Sequence, residues 1–201
     1  MNLREIYTNT LLEIGVPQNE IQSEWNYLVE VYIVDRHYHD INHIKKVIEL
    51  LQPIDDKLVD PKLVRLAAFY HDIVYFPNDE KNELRSAMVF GLRLGRYMNI
   101  ADVMDVENLI MSTVFNSEPM SEDAKYLVDA DLASGMIGTY EEFAANSEKV
   151  IKEFKGFDEA TLKEGRVNFL RSILEKENIF YTDYFTTFED QIRNNISNYI
   201  K

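Results

Sequence analysis

The sequence predicts an all-α fold, on three observations. Apolar residues recur at three- and four-residue spacing in segment after segment, the period of a helix with one buried face. No run alternates at period two with β-branched enrichment, as a half-buried strand would. Breakers such as Gly15 with Pro17, and Pro53, fall between the periodic segments. No internal repeat or low-complexity segment interrupts the pattern.

Taken in order, the first helix spans Leu3 to Ile14, with Leu3, Ile6, Tyr7, Leu11 and Ile14 near one face. A second runs from about Asn19 to Val34; Ile21, Trp25, Leu28, Val29, Tyr32 and Ile33 form its apolar face, which makes Trp25 a core residue. Asp35-Arg-His-Tyr-His-Asp40 is a dense polar interruption, followed by a helix from Ile41 to Leu51. Pro53 and the charged run to Asp60 connect it to an apolar helix from Leu63 to Asp72, with Pro61 where a first turn tolerates proline. Asn78 or Asp79 is a candidate cap for a long helix through Tyr97, whose Leu84, Ala87, Met88, Gly91, Leu92 and Gly95 mark a close-packing face. Further helices are expected over Asp102–Phe115, Glu122–Val128, Tyr140–Phe154, Asp158–Glu177 and Phe188–Tyr199.

A chain of 201 residues suits one domain with a substantial core, here 1–201, needing no disulfide or metal staple. Cysteine is absent, which rules out thiolate metal sites and agrees with a cytoplasmic location. No apolar run approaches the roughly 18 residues of a membrane span, and the N-terminus lacks a signal-peptide core, so no membrane partner is expected. With 21 basic and 35 acidic residues the net charge is −14, which repels a phosphate backbone and argues against nucleic acid. The same field means that any pocket for a small phosphorylated ligand must supply its own Arg, Lys or metal charge.

The Leu63–Asp72 helix ends on His71-Asp72, and an unpaired carboxylate closing so apolar a segment costs several kcal/mol. A divalent transition metal would satisfy a neutral imidazole and a carboxylate side by side. Two other segments can complete the set: the helix carrying His43, and Tyr126-Leu-Val-Asp-Ala-Asp-Leu-Ala, which brings Asp129 and Asp131 out of an apolar run. Facing helices that each deliver one or two ligands commonly build a metal site inside a bundle.

The order His43, His71-Asp72, Asp131 resembles the HD-domain superfamily of metal-dependent phosphohydrolases. More narrowly, Arg36-His-Tyr-His-Asp-Ile-Asn-His-Ile, Phe69-Tyr-His-Asp-Ile-Val-Tyr, Asn82-Glu-Leu-Arg-Ser-Ala and Asp129-Ala-Asp-Leu-Ala resemble a bacterial family of predicted HD-type phosphohydrolases, with similarity continuing through Gly165-Arg166 and Ile179-Phe-Tyr-Thr. The resemblance implies a single HD domain with its metal-binding core over about 36–135 and the C-terminal helices packed on it. It makes His43, His71, Asp72 and Asp131 the ligands of one divalent ion, with His39 and Asp129 as the neighbouring alternatives. Mixed nitrogen and oxygen ligands favour Mn, Fe, Co, Ni or Zn over Mg. All four histidines lie at or before His71, and Asn116 stands near where related sequences often carry His, so a mononuclear site is expected.

Around that site Glu83 is the candidate base for a water nucleophile, on its match to the Asn82-Glu83 and Ser86-Ala87 motif. Asn82 and Ser86 are expected to contact substrate with it. Arg36 is the strongest phosphate candidate, since a guanidinium grips phosphate with two hydrogen bonds. His39 is a candidate to orient or protonate the leaving group, and Arg166 to face the pocket from a late helix. His37, Tyr38 and Thr113 have weaker claims, and Glu189 with Arg193 reads as a surface i,i+4 salt bridge. The expected activity is hydrolysis of a small phosphorylated metabolite such as a nucleotide. Three alternatives compete: a non-catalytic HD module that senses metal or nucleotide, an all-α scaffold with no site, and a zinc-protease-like helix at His39-Asp-Ile-Asn-His43, which leaves His71-Asp72 without a role.

Overall fold

The computed structural model describes residues 2–201, and among them every regular element is a helix. The architecture is built around α4 (Pro61–Tyr70), whose Leu63, Val64, Leu66, Ala67, Ala68, Phe69 and Tyr70 are all buried. A helix that is apolar on every side needs neighbours on every side. α4 accordingly touches α1 (Leu3–Glu13), α3 (Ile41–Leu51), α5 (Asn82–Leu94), α6 (Ile100–Ser112) and α7 (Glu122–Ser134). Its start is fixed twice: the Asp60 carboxylate accepts from Lys62 N and Leu63 N, and Pro61 sits in the first turn. The Asp123 carboxylate of α7 accepts from Val59 N and Asp60 N, tying the entry of α4 to the neighbouring helix.

α2 (Gln18–Ile33) lies against α1 and α3, with Trp25 partly buried and tilted on Tyr7 at 5.8 Å. Beyond α7, α8 (Tyr140–Glu153), α9 (Glu159–Leu174) and α11 (Glu189–Tyr199) pack on one another, while the short α10 (Asp183–Thr186) packs on α7. Leu170, Phe185, Ile192 and Ile196 of these helices share one buried cluster with Ile44 and Val64.

Several boundaries differ from the sequence expectation. α4 stops at Tyr70 with His71 as its cap residue, so the His-Asp pair sits in the turn that leaves the helix. α5 begins at Asn82 rather than at 79, because Asn78 adopts a left-handed φ of 68° and no side chain caps the helix. Its packing face is Ser86, Ala87, Phe90 and Leu94, whereas Leu84, Met88 and Leu92 are exposed. α6 starts at Ile100, with Asn99 accepting from Asp102 N, and α7 continues six residues past the expected end at Val128. Asp129 and Asp131 hid that continuation from the periodicity, because polar residues on an inward face look like a helix end. The expected Glu189–Arg193 i,i+4 pair forms, at 3.4 Å, but within a half-buried brace rather than on the surface: Glu189 accepts from Ile179 N and Phe180 N, and Arg193 donates to the carbonyls of Leu174, Lys176 and Glu177.

Candidate metal centre

Three helices bring the cluster together. α3 places His43 on its buried face, the exit of α4 presents His71 and Asp72, and the last turns of α7 present Asp131. The Nε2 atoms of His43 and His71 stand 3.1 Å apart. Asp72 Oδ2 lies 3.3 Å from His43 Nε2 and 3.2 Å from His71 Nε2; Asp131 Oδ1 lies 3.2 and 3.4 Å from the same two atoms.

The hydrogen bonds on the far side of each ring assign its tautomer. His71 Nδ1 faces the carbonyl of Ala68 at 2.9 Å and can only donate to it, so the proton of a neutral His71 is on Nδ1. Ser134 Oγ donates to the Asp131 carbonyl at 2.7 Å, which leaves its lone pairs to accept from His43 Nδ1 at 3.1 Å. Both Nε2 atoms of the neutral rings are therefore bare lone pairs, pointed at each other and at two carboxylate oxygens. Four converging acceptors with no donor among them require a cation. The donor set of two imidazoles and two carboxylates fits a divalent first-row metal, and His43, His71 and Asp131 offer ligand atoms all within 4.8 Å of one another. Without an ion, protons must take its place. Burial alone would lower the His43 and His71 pKa values, but Asp131 and Asp72 outweigh it and raise both. Conversely, burial would raise the two carboxyls, yet the imidazoles hold Asp72 and Asp131 well below the usual range.

Asp129 has other work. It is buried and accepts from Tyr181 N, Thr182 N and Thr182 Oγ1 at 2.7–3.1 Å, pinning the 181–182 turn ahead of α10 to α7. Desolvation pushes its carboxyl up to about 6 despite those donors. The two aspartates separate experimentally. In metal-stripped protein Asp129→Ala is expected to lose about 2 kcal/mol of stability in urea melts through its orphaned donors, whereas Asp131→Asn is expected to leave that melt largely unchanged; with metal supplied, Asp129→Ala keeps its metal content and Asp131→Asn loses it.

His39, the alternative first ligand, is not among the residues whose ligand atoms converge. Its Nδ1 bonds Glu153 Oε2 at 2.6 Å and its ring stacks on Tyr75 at 4.0 Å. Glu153 Oε1 also accepts from the backbone N–H groups of His37, Tyr38 and His39 at 2.8–3.0 Å, so one buried carboxylate from the end of α8 shapes the whole polar loop. Nothing in the sequence distinguished Glu153 from the other acids, since its partners lie about 115 residues away. Ser134 carries no such signal either, and Tyr38 only a weak one; Tyr38 Oη meets Ser134 Oγ at 3.1 Å and completes the support of His43.

Three residues expected to meet substrate are occupied by the backbone. Arg36 donates to the carbonyls of His39, Asp72 and Ile73 at 2.6–3.0 Å and stacks on Tyr32, so its guanidinium straps the polar loop to the His-Asp turn. Asn82 clamps Phe76 through both its N–H and its C=O at 2.9 Å. Ser86 Oγ, fully buried, bonds both backbone groups of Val74. Asn82 and Ser86 hold the segment after Asp72 against α5, the helix that carries Glu83, and Arg36 ties the start of that segment to the polar loop. Glu83 is half-buried with no side-chain partner, and burial together with the charge of Asp72 pushes its carboxyl up.

The cluster is most open at Asp131. His43 and His71 side chains are 1% exposed and Asp72 12%, but Asp131 is 26% exposed and lines a cavity of about 640 Å³ with His39, Thr113 and Arg166. Ligands therefore reach the site past Asp131.

A search of curated proteins and a search of solved structures each returned no match. The family model of the HD domain matches residues 40–136, a span that holds His43, His71, Asp72 and Asp131 and excludes Arg36, His39, Glu153 and Arg166. Residues 40–136 thus match an HD domain, and the helical architecture and the His/Asp cluster agree with the metal-dependent phosphohydrolase superfamily that such a domain indicates.

Proposed function

We propose that this chain is a mononuclear metal-dependent phosphohydrolase acting on a small phosphorylated metabolite, with the whole of 1–201 serving as one domain around the site. The observation that carries the reading is the meeting of two bare imidazole lone pairs with the Asp72 and Asp131 oxygens, beside an open cavity. His43, His71, Asp72 and Asp131 would hold one divalent ion of the Mn, Fe, Co, Ni or Zn type. Such an ion supplies positive charge that acidifies water and offsets the charge building on phosphorus.

The chain's own residues then divide the proton work. Glu83, its carboxyl raised by burial and by Asp72, is suited to accept the proton of the attacking water. His39, its Nδ1 engaged by Glu153, is oriented to hand a proton to the leaving oxygen from Nε2. Arg166 serves the substrate directly, while Arg36, Asn82 and Ser86 act by fixing the loops that carry His39, Asp72 and Glu83. The expected result for Glu83→Gln is unchanged metal content and a kcat about 10²- to 10⁴-fold lower, read by elemental analysis and phosphate release on the same preparation.

The decisive experiment joins a metal assay to a screen of phosphorylated compounds. About one metal per chain with release of phosphate or pyrophosphate supports the reading. Bound metal without turnover across a broad panel favours a sensor that binds and does not hydrolyse, and a metal-free protein overturns both.

A further inference from the structure

The cavity beside the His/Asp cluster has a chemistry of its own. It is walled mostly by Leu132, Met136, Phe154, Phe157, Leu162 and Phe169, and its size suits a small molecule. His39 and Asp131 line it as well, so it is continuous with the reacting end. Among its lining residues Arg166 is the only Arg or Lys.

Arg166 is unusual for this chain. On a surface carrying a net charge of −14, acids to pair with are abundant, yet none of the described residues places a carboxylate within ion-pair distance of it. Its guanidinium instead lies over the Phe169 ring at 5.1 Å and takes weak support from Ser147 Oγ, at 3.3 Å from Nε and 3.2 Å from Nη2. A half-buried cation without an acid, in a largely apolar wall, is arranged for an anion that arrives from outside. The polar lining residues include His39, Asp131 and Arg166, and Leu132, Met136, Phe154, Phe157, Leu162 and Phe169 offer a hydrocarbon many contacts.

From these observations we infer that the substrate is an amphiphilic phosphate: an alkyl or aryl group fills the Phe-rich cavity, its phosphoryl group meets the His/Asp cluster, and Arg166 supplies the countercharge. This rests on the phosphohydrolase reading for the fate of the phosphoryl group, but not for the binding.

Gly165 makes the test clean. On α9, Leu162, Gly165, Arg166 and Phe169 recur at helical spacing and all line the cavity. A Cβ built on Gly165 meets no atom within 4 Å, so Gly165→Leu adds bulk to open space on that face and is also the better helix former.

Binding is measured by calorimetry with phosphonates, whose carbon–phosphorus bond no phosphohydrolase step would cleave. Hexylphosphonate is expected to bind wild-type protein at least about tenfold more tightly than ethylphosphonate. Gly165→Leu is expected to erase most of that gain while raising Tm. Arg166→Gln is expected to weaken both phosphonates by about tenfold and leave hexanol unaffected. Should Arg166→Gln fail to fold, Arg166→Lys replaces it, keeping charge and losing the two-pronged grip, and is expected to bind both phosphonates more weakly than wild type.

Equal affinity of the two phosphonates in wild type, or the full chain-length gain in Gly165→Leu, overturns the inference about the cavity; phosphonate binding indifferent to Arg166 overturns the countercharge. The two readings fail separately. If no phosphate ester is turned over while chain length and Arg166 still govern binding, the hydrolytic reading falls and this one stands. If esters are hydrolysed at rates and affinities blind to alkyl length, the reverse holds.

Discussion

His71→Ala is expected to leave a protein with no bound metal and with phosphohydrolase activity down by more than about 10³-fold, since several kcal/mol of charge stabilisation goes with the ion. The side chain is 1% exposed, and both of its nitrogens are committed: Nδ1 to the Ala68 carbonyl, Nε2 to the convergence point. Activity alone would not isolate the cause, so thermal stability is the second readout. An ion at a hundredfold its dissociation constant stabilises the folded chain by about 2.7 kcal/mol, which raises Tm by about 5–10 °C at this chain length. Wild-type protein stripped by a chelator should show that rise on adding back the ion, and His71→Ala should show none. Full activity in metal-free His71→Ala would falsify the assignment of the centre.

The second large effect lies outside the residues matched by the family model. Glu153→Ala removes one buried carboxylate and strands three backbone N–H groups and the His39 ring at once. Leaving that many donors without their charged acceptor is expected to cost about 3 kcal/mol, or about 6–12 °C in Tm. The loss should also depend on pH. Burial pushes the Glu153 carboxyl up, but the His39 hydrogen bond and charge, with the loop N–H groups, outweigh it and bring it down from 4.5 to about 2. A depressed carboxyl stabilises the fold above its unfolded value and ceases to do so as pH falls through its folded value. The stability gap between wild type and Glu153→Ala should thus be constant above about pH 5 and close between 4.5 and about 2. Urea melts at pH 7 and pH 3 measure it, and a gap that widens in acid would contradict this account. Glu153→Gln keeps an oxygen for the loop N–H groups and should lose less.

Glu153 also shows where sequence reading stops. Helical periodicity tells which face of α8 is buried, but Glu153 sits at the C-terminal end of α8, and its partners belong to a loop more than 110 residues earlier. Arg36, Asn82 and Ser86 illustrate the converse. Their motif placed them near the chemistry, and they are near it, but their hydrogen-bonding groups are turned onto the backbone. Residue type and spacing identify a side chain able to bind phosphate or substrate; whether it does so depends on which acceptors the fold puts within reach first.

The sequence by itself determined the all-α class, because a 3.6-residue apolar period has only one regular structure that buries it, and it singled out His71-Asp72 as a pair in need of a partner, because an apolar helix ending so is costly without one; the resemblance supplied His43 and Asp131. Only the tertiary structure decided that α3, α4 and α7 converge with both imidazole lone pairs facing inward, that Asp131 and not Asp129 faces them, and that an apolar cavity with one unpaired arginine adjoins the site. Those outcomes depend on where helices cross and which way a turn points its side chains, and these are set by packing between segments distant in the chain.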